Sequence, residues 1–390
     1  MSDPAGPHRN RWARFDDLSA GSALLCPPPY RVITAREPVE VRAALQQVQA
    51  ATDAGSWAYG YVAYEAAAGL DRQPTGIATE PGDLPLVWFG LCEEPSPTPV
   101  VRPPTGDAGM AWQWRADWTD AEHAAAVQLV REHIAAGATY QVNLTDRLRA
   151  RDVAGDLQEV YGRLACAQRG AYNAYLDLGR HVVASASPEL FFEWSGNLVR
   201  TRPMKGTAAR SSSIDEDRER ARILRSSSKE LAENLMIVDL LRNDLGRIAR
   251  TGSVQVTELF TVESYPTVWQ LVSEVTARIE PTVGLVDLFE ALFPCGSVTG
   301  APKRRTMQLI RELEPTPRGV YCGAIGLLAP PSAPFRARFS VAIRTVVVDR
   351  ETREAVYGVG GGITWGSDPT AERAELYAKA AVLSRRSAGS

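Results

Sequence analysis

The 390-residue sequence predicts an α+β fold, and three observations carry that expectation. Segments such as VEVRAALQQVQAA (39–51) and DAEHAAAVQLVREHIAAG (120–137) repeat apolar residues at helical spacing and exceed ordinary strand length. Apolar runs rich in β-branched and aromatic residues recur at strand length: LPLVWFGL (84–91), AYLDLG (174–179), HVVASAS (181–187), ARFSVAIRTVVV (337–348) and AVYGVGGGI (355–363). Many of these runs follow one another across short turns. That hairpin-like adjacency belongs to antiparallel pairing, because parallel strands need long crossovers. Neither a 20–50-residue repeat nor sustained heptads interrupts the pattern.

Along the chain, the first ten or so residues have the composition of a disordered end. The proline-rich stretch EEPSPTPVVRPPTGDAG (93–109) reads as a linker or exposed loop. It places a boundary between an N-terminal region, 1–110, and a larger domain, 111–390. With 45% hydrophobic and 23% charged residues and a net charge of −3, the chain presents no polyanion-binding balance, so nucleic acid is not an expected partner. An apolar run near the roughly 20 residues that cross a bilayer is missing, so no membrane partner is expected either. MSDPAGPHRNRW lacks the apolar core of a signal peptide. Five cysteines stand scattered without a C-x-x-C pair, the usage of a reduced, cytoplasmic protein. The four histidines are equally dispersed, so a metal here would be held by oxygen ligands.

Two E-x-x-E segments supply such oxygens. In SSSKELAENLMIVDLL, Ser227 and Glu230 fit a helix capping box, and Leu231, Leu235 and Val238 form an apolar stripe. Glu230 and Glu233, three apart, share one helical face. In SDPTAERAELYAKAAVL, Asp368 and Pro369 suit an N-cap and first helical position ahead of Glu372 and Glu375. Four hard carboxylate donors on two helices match what Mg²⁺ takes. Glutamates on a solvated helix face are common too, and spacing alone does not choose between the two.

A wider set of segments does. YQVNLTDRLRA (140–150), SASPELFFEW (185–194), TRPMKGTAAR (201–210) and KELAENLMIVDLLRNDLGRI (229–248) resemble, in order, runs of the chorismate-utilising enzymes. So do FPCGSVTGAPKRRTMQLIRELEP (293–315), RGVYCGAIG (318–326), FSVAIRT (339–345) and GGGITWGSDPTAERAELYAKA (360–380). GSWAYGYVAYEAAAGLD (55–71) looks like the N-terminal region of the family's amination branch. The resemblance implies two large, mainly antiparallel sheets packed together, helices outside, and an active site in the cleft between them. It assigns Glu233 and Glu375 as Mg²⁺ ligands, with Glu230 and Glu372 nearby or bound through water, and chorismate as substrate.

Other roles follow from the same resemblance. Glu189 matches the general acid that protonates the departing C4 hydroxyl, and it needs a raised pKa to serve. Lys205 stands where anthranilate, isochorismate and salicylate synthases usually carry a small residue. The aminodeoxychorismate synthases have lysine there, and covalent catalysis by an amine suits a C4 substitution. Gln141 occupies the place of a lysine base in isochorismate and salicylate synthases; an amide cannot deprotonate water, which leaves amination. Arg344 and Tyr321 look like the clamp on the enolpyruvyl carboxylate. Gly360 and Gly362 would offer backbone N–H groups there, Lys379 a further cation, and Gly206 and Thr207 backbone contacts near the ring. Ser297 keeps the hydroxyl of the threonine frequent at its position. Gln270, in VWQLVS, departs from the histidine of many members. The sequence carries no glutaminase signature, so ammonia is expected from a separate glutaminase subunit.

The expected reaction is therefore conversion of chorismate and ammonia to 4-amino-4-deoxychorismate, on the way to p-aminobenzoate. Amination at C2, giving anthranilate or 2-amino-2-deoxyisochorismate, is the nearest rival. A catalytically silent chorismate-binding subunit is the rival of another class.

Overall fold

The computed structural model describes residues 11–71, 84–104, 112–265 and 268–383. Within it, the hairpin-like adjacency resolves into two ten-stranded sheets. The first sheet runs, in spatial order, Gly300–Ala301, Gln141–Ala150, Glu354–Ile363, Thr345–Asp349, His181–Ser187, Tyr172–Asp177, Trp12–Asp17, Ser22–Cys26 and Ser96–Thr98. Arg115–Ala116 also pairs with Gln141–Ala150. The second runs Met204–Ala209, Val268–Arg278, Leu198–Arg202, Leu190–Ser195, Ala337–Val341, Ala324–Leu328, Trp57–Val62, Val87–Cys92 and Arg31–Ala35, with Gln255–Ser264 paired to Val268–Arg278. Neighbouring strands are antiparallel in both sheets, from Trp12–Asp17 on Tyr172–Asp177 to Val268–Arg278 on Leu198–Arg202.

The layers follow from which side chains are apolar. Between the sheets lie Ala13, Cys26, Ala174, Leu176 and Val183 from the first and Tyr59, Tyr61, Trp88, Cys92, Ile325 and Leu327 from the second. Strands Trp57–Val62 and Val87–Cys92 are buried at every residue, because helices cover their other face. Helices Pro38–Asp53, Ser228–Gly246 and Leu285–Leu292 pack on the second sheet around Phe192, Phe289 and Phe339, and Lys303–Leu313 packs against Gln141–Ala150 and Gly300–Ala301 of the first. Leu157–Gln168 and Pro369–Ala380 contribute Tyr161, Leu164 and Leu376 to the core on the first sheet's outer face.

Strands from both sides of the 93–109 stretch complete both sheets: Trp12–Asp17 pairs with Tyr172–Asp177, and Trp57–Val62 with Ala324–Leu328. That stretch thus joins parts of one layered body. Ser96–Thr98 is itself a strand, and residues 105–111 lie outside the described residues, as do the first ten. In helix Ser228–Gly246 the buried stripe is Ile237, Val238, Leu241 and Leu245, whereas Leu235 is exposed. The expected stripe was rotated by about one position, and Asn234 takes the buried place by bonding to Ser273.

Two chain crossings matter for the site. The chain leaves the first sheet at Ser187 and enters the second at Leu190, so Pro188 and Glu189 bridge the layers. It returns from Val341 to Thr345, placing Arg344 in the bridge with a left-handed backbone, φ 53°. The Arg344 carbonyl accepts from Ala186 N–H, which ties the two crossings together.

Candidate active site

Gln141 opens a long strand next to the edge of the first sheet, and it is completely buried. Neither its amide nitrogen nor its amide oxygen has a partner within the protein. An unpaired buried amide is costly, so one so placed points to a polar occupant of the space it faces. Gly362, on the neighbouring strand, makes that placement possible: a Cβ there would lie 2.1 Å from Gln141 Nε2 and 3.5 Å from Lys205 Nζ. Lys205 comes from the edge of the second sheet. The two sheets thus bring Gln141, Gly362 and Lys205 to one place.

Glu189, in the first crossing, is 3% exposed. Burial pushes its pKa up to about 7, although a hydrogen bond from Ser297, the Lys205 charge and the Met204 N–H all favour its ionised form. Cys295 Sγ lies 4.0 Å from Glu189 Oε1 and 3.2 Å from Ser297 Oγ, closing that pocket with a thiol.

The charge of Lys205 also reaches two of the four glutamates, Glu233 and Glu375. Ser227 caps its helix by accepting from Glu230 N–H, and Asp368 caps the other by accepting from Ala371 N–H, as the sequence predicts. Burial raises the Glu233 pKa; Lys205 opposes this, while Glu230 and Glu372 add to it. Burial likewise raises Glu372, against a 2.6 Å hydrogen bond from Ser367. Glu375 behaves oppositely: burial works against its charge, but Lys379, Lys205 and Lys229 together hold its pKa below the usual range. Lys379 Nζ donates to Glu375 Oε1 at 2.6 Å and to Gly360 O at 2.7 Å. Among the described residues no three acidic, histidine or cysteine side chains converge closely enough to enclose a metal. The donor set nevertheless fits Mg²⁺: oxygen ligands from two helices, whose mutual repulsion raises Glu233 and Glu372, a repulsion that a cation relieves.

The expected carboxylate clamp surrounds Gly360. A Cβ on Gly360 would sit 2.7 Å from Thr145 Cγ2 and 3.1 Å from Tyr321 Oη. Arg344 Nη1 donates to Lys379 O at 2.7 Å. Gly360 and Gly362 therefore make room first for side chains of this protein, Thr145 with Tyr321, and Gln141. Gly206, at φ 86°, does the same for Glu230, whose Oε2 would lie 2.9 Å from a Cβ there. Thr207 donates from its hydroxyl to Gln270 Oε1 at 3.0 Å.

Three participants had no separate signal in the sequence. Arg147 is buried, bonds Thr145 Oγ1 and Glu314, and stacks over the Tyr321 ring at 5.3 Å. Lys229 acts on Glu233, Glu372 and Glu375 from the first turn of its helix. Cys295 meets Glu189. Lys229 and Arg147 fall within the runs that carry the resemblance, but only the packing shows what they face.

Comparison with known proteins agrees with this architecture. A family model described as chorismate binding enzyme matches residues 99–385. Aminodeoxychorismate synthase component 1 of Salmonella typhimurium is 42% identical over 304 residues, 78% of this chain and 64% of the relative. Anthranilate synthase component 1 of Streptomyces coelicolor is 40% identical over 272 residues, 69% of this chain and 52% of the relative. Both alignments span less than two thirds of those relatives. The crystal structure of anthranilate synthase component I from Streptococcus pneumoniae superposes with a TM-score of 0.78 at 26% identity, covering 99% of this chain and 93% of that one. Two antiparallel sheets, helices on their outer faces and a family match over most of the length place the chain in the chorismate binding enzyme family.

Proposed function

We propose that the chain aminates chorismate at C4, giving 4-amino-4-deoxychorismate with ammonia from a separate glutaminase subunit. Lys205 carries this reading: a Cβ on Gly362 would meet both its amine and the buried Gln141 amide, and its charge acts on Glu189, Glu233 and Glu375. Its similarity to aminodeoxychorismate synthase component 1, named as one component of a larger enzyme, supports both the reaction and the need for a partner.

The Lys205 nitrogen lone pair forms a bond to C2, both ring double bonds shift by one position, and the C4–O bond breaks. Glu189 gives its proton to the departing oxygen, which leaves as water. Ammonia then bonds C4, both double bonds shift back, and the Lys205 amine leaves C2. The Gln141 amide, with no protein partner, orients the incoming nitrogen. Arg344 and Tyr321, with Lys379 behind them, hold the enolpyruvyl carboxylate, and Ser297 keeps Glu189 in place. The backbone of Gly206, Thr207, Gly360 and Gly362 approaches the bound ring and its carboxylates. Mg²⁺, on Glu233 and Glu375 with Glu230 and Glu372 alongside, would bind the ring carboxylate.

The test uses the purified chain, chorismate, Mg²⁺ and an ammonium salt at alkaline pH, with products separated and weighed by mass spectrometry. Conversion to p-aminobenzoate only after an aminodeoxychorismate lyase is added, and its suppression in Lys205→Ala, would support the proposal. Anthranilate or a C2 amine would refute the assignment at C4. Chorismate binding without turnover would favour a silent subunit.

A further inference from the structure

We infer that Gln270 is a positioning residue for Lys205, fixing the direction in which that lysine leaves its strand. The inference rests on the reading of Lys205 as the nucleophile, and it starts from the register of the sheet edge. Met204 faces Val272, and Thr207 faces Gln270. Three steps on the outer strand therefore oppose two on its neighbour, so one extra residue is accommodated at Lys205–Gly206. Such a bulge breaks the alternation of side chains and re-aims them.

Glycine is required at its centre. Gly206 has φ 86°, and a Cβ there would approach Glu230 Oε2 at 2.9 Å and Leu224 Cδ1 at 3.2 Å. A glycine in an edge strand is also the most freely rotating point of it, and something must choose its conformation. Gln270 does so with both ends of one amide. Its Nε2 donates to Gly206 O at 2.8 Å, and its Oε1 accepts from Thr207 Oγ1 at 3.0 Å. The Gly206 carbonyl can only accept, so the amide orientation is set by the bond itself. The preceding residue anchors the strand further on: Trp269 Nε1 donates to Asp217 and its ring carries the Arg210 guanidinium at 4.4 Å. Consecutive residues of one strand thus hold 206–210, and Lys205 projects from the held end toward Gly362 and Gln141.

A neutral histidine, frequent here in the family, also has one donor and one acceptor, but they point apart across the ring, whereas the Gln270 amide presents both from one end. Gln270 spends both polar atoms on the bulge. Its role is therefore to shape the strand that carries the nucleophile.

The test compares Gln270→Met, Gln270→Glu and Lys205→Ala, singly and combined, in ammonia-dependent amination of chorismate. Met keeps length without polar atoms; Glu keeps shape but has no donor for Gly206 O. Both are expected to lower kcat by about ten- to a hundredfold, the scale of a misplacement near 1 Å, with KM for chorismate changed by less than about twofold. Thermal midpoints report whether either variant merely unfolds, and Gln270→Asn, which is shorter, should not restore kcat. In the Lys205→Ala background, Gln270→Met should cost nothing further, because its effect passes through the lysine. An equal multiplicative loss in both backgrounds, or an unchanged kcat in either single Gln270 variant, overturns the inference while leaving Lys205 in place. If Lys205→Ala itself still aminates C4 at the parent rate, the nucleophile reading fails first and this inference with it.

Discussion

Glu189 and Glu375 both feel the charge of Lys205, yet their carboxyl groups are driven in opposite directions. Glu189 sits in the crossing between the sheets, sealed by Cys295 and Ser297, and the cost of burying its charge exceeds the help it receives. Glu375 lies on an open helix face, bonded one turn along to Lys379, with Lys205 and Lys229 adding to that attraction. Burial with little compensation produces a group that keeps a proton near neutral pH; a carboxylate well compensated by cations stays ionised. The two glutamates differ only by their neighbours, and that difference suits one to give a proton and the other to hold a cation. The contrast can be broken from either side.

The largest effect is expected from the donor. Glu189→Gln keeps shape and burial but holds no transferable proton, so kcat/KM should fall by about 10²- to 10⁴-fold in the ammonia-dependent assay. The same substitution should make the fold less sensitive to pH. A carboxyl whose native pKa is raised from 4.5 to about 7 binds its proton more tightly folded than unfolded. Its contribution is complete below pH 4.5 and is lost as pH rises through about 7. Denaturant titrations at pH 5 and pH 8 should therefore differ less in Glu189→Gln than in the parent. An equal pH dependence in both would show that Glu189 is not the buried acid described.

From the other side, Glu233→Gln and Glu375→Gln should each raise the Mg²⁺ concentration that gives half-maximal activity by at least about tenfold. Isothermal titration with Mg²⁺ checks this without turnover. Glu189→Gln should leave the Mg²⁺ dependence unmoved. Were it to shift the metal titration as strongly, the two regions would be one coupled site.

Much of this contrast was legible in the sequence, and the part that was not has a physical reason. The caps at Ser227 and Asp368 are local, set by residues within one turn, and the structure realises both. The strand runs were equally readable, because burial on both faces leaves no polar interruption, as in Val87–Cys92. Proline at an edge strand reads in sequence like proline in a loop; Pro97, within 93–109, sits in the outermost strand of the first sheet. The family resemblance supplied Glu189, Lys205 and Gln141. It could not supply the unpaired state of the Gln141 amide, the bulge under Lys205 or the clamp by Gln270, since each depends on which strands face one another. Cys295 was equally invisible as a neighbour of Glu189, being 106 residues distant along the chain.

The smallest expected effect gives the finest reading of the comparison. Ser297 favours the ionised form of Glu189 by a hydrogen bond, so it opposes the burial that makes Glu189 an acid. Ser297→Ala removes that opposition and leaves Cys295 and the chain crossing in place. The free-enzyme limb of kcat/KM that descends as pH rises through about 7 should therefore move to higher pH. A hydrogen bond to a charged group contributes roughly 1.5–3 kcal/mol, and 1.36 kcal/mol is one pKa unit, so a displacement of about one unit is expected. The limb must be followed at a fixed concentration of unprotonated ammonia, because the nucleophile titrates in the alkaline range too. A shift to lower pH would mean that Ser297 bonds the protonated carboxyl. A limb that stays in place, while Glu189→Gln abolishes it, would assign the raised pKa to burial alone and leave Ser297 to the substrate.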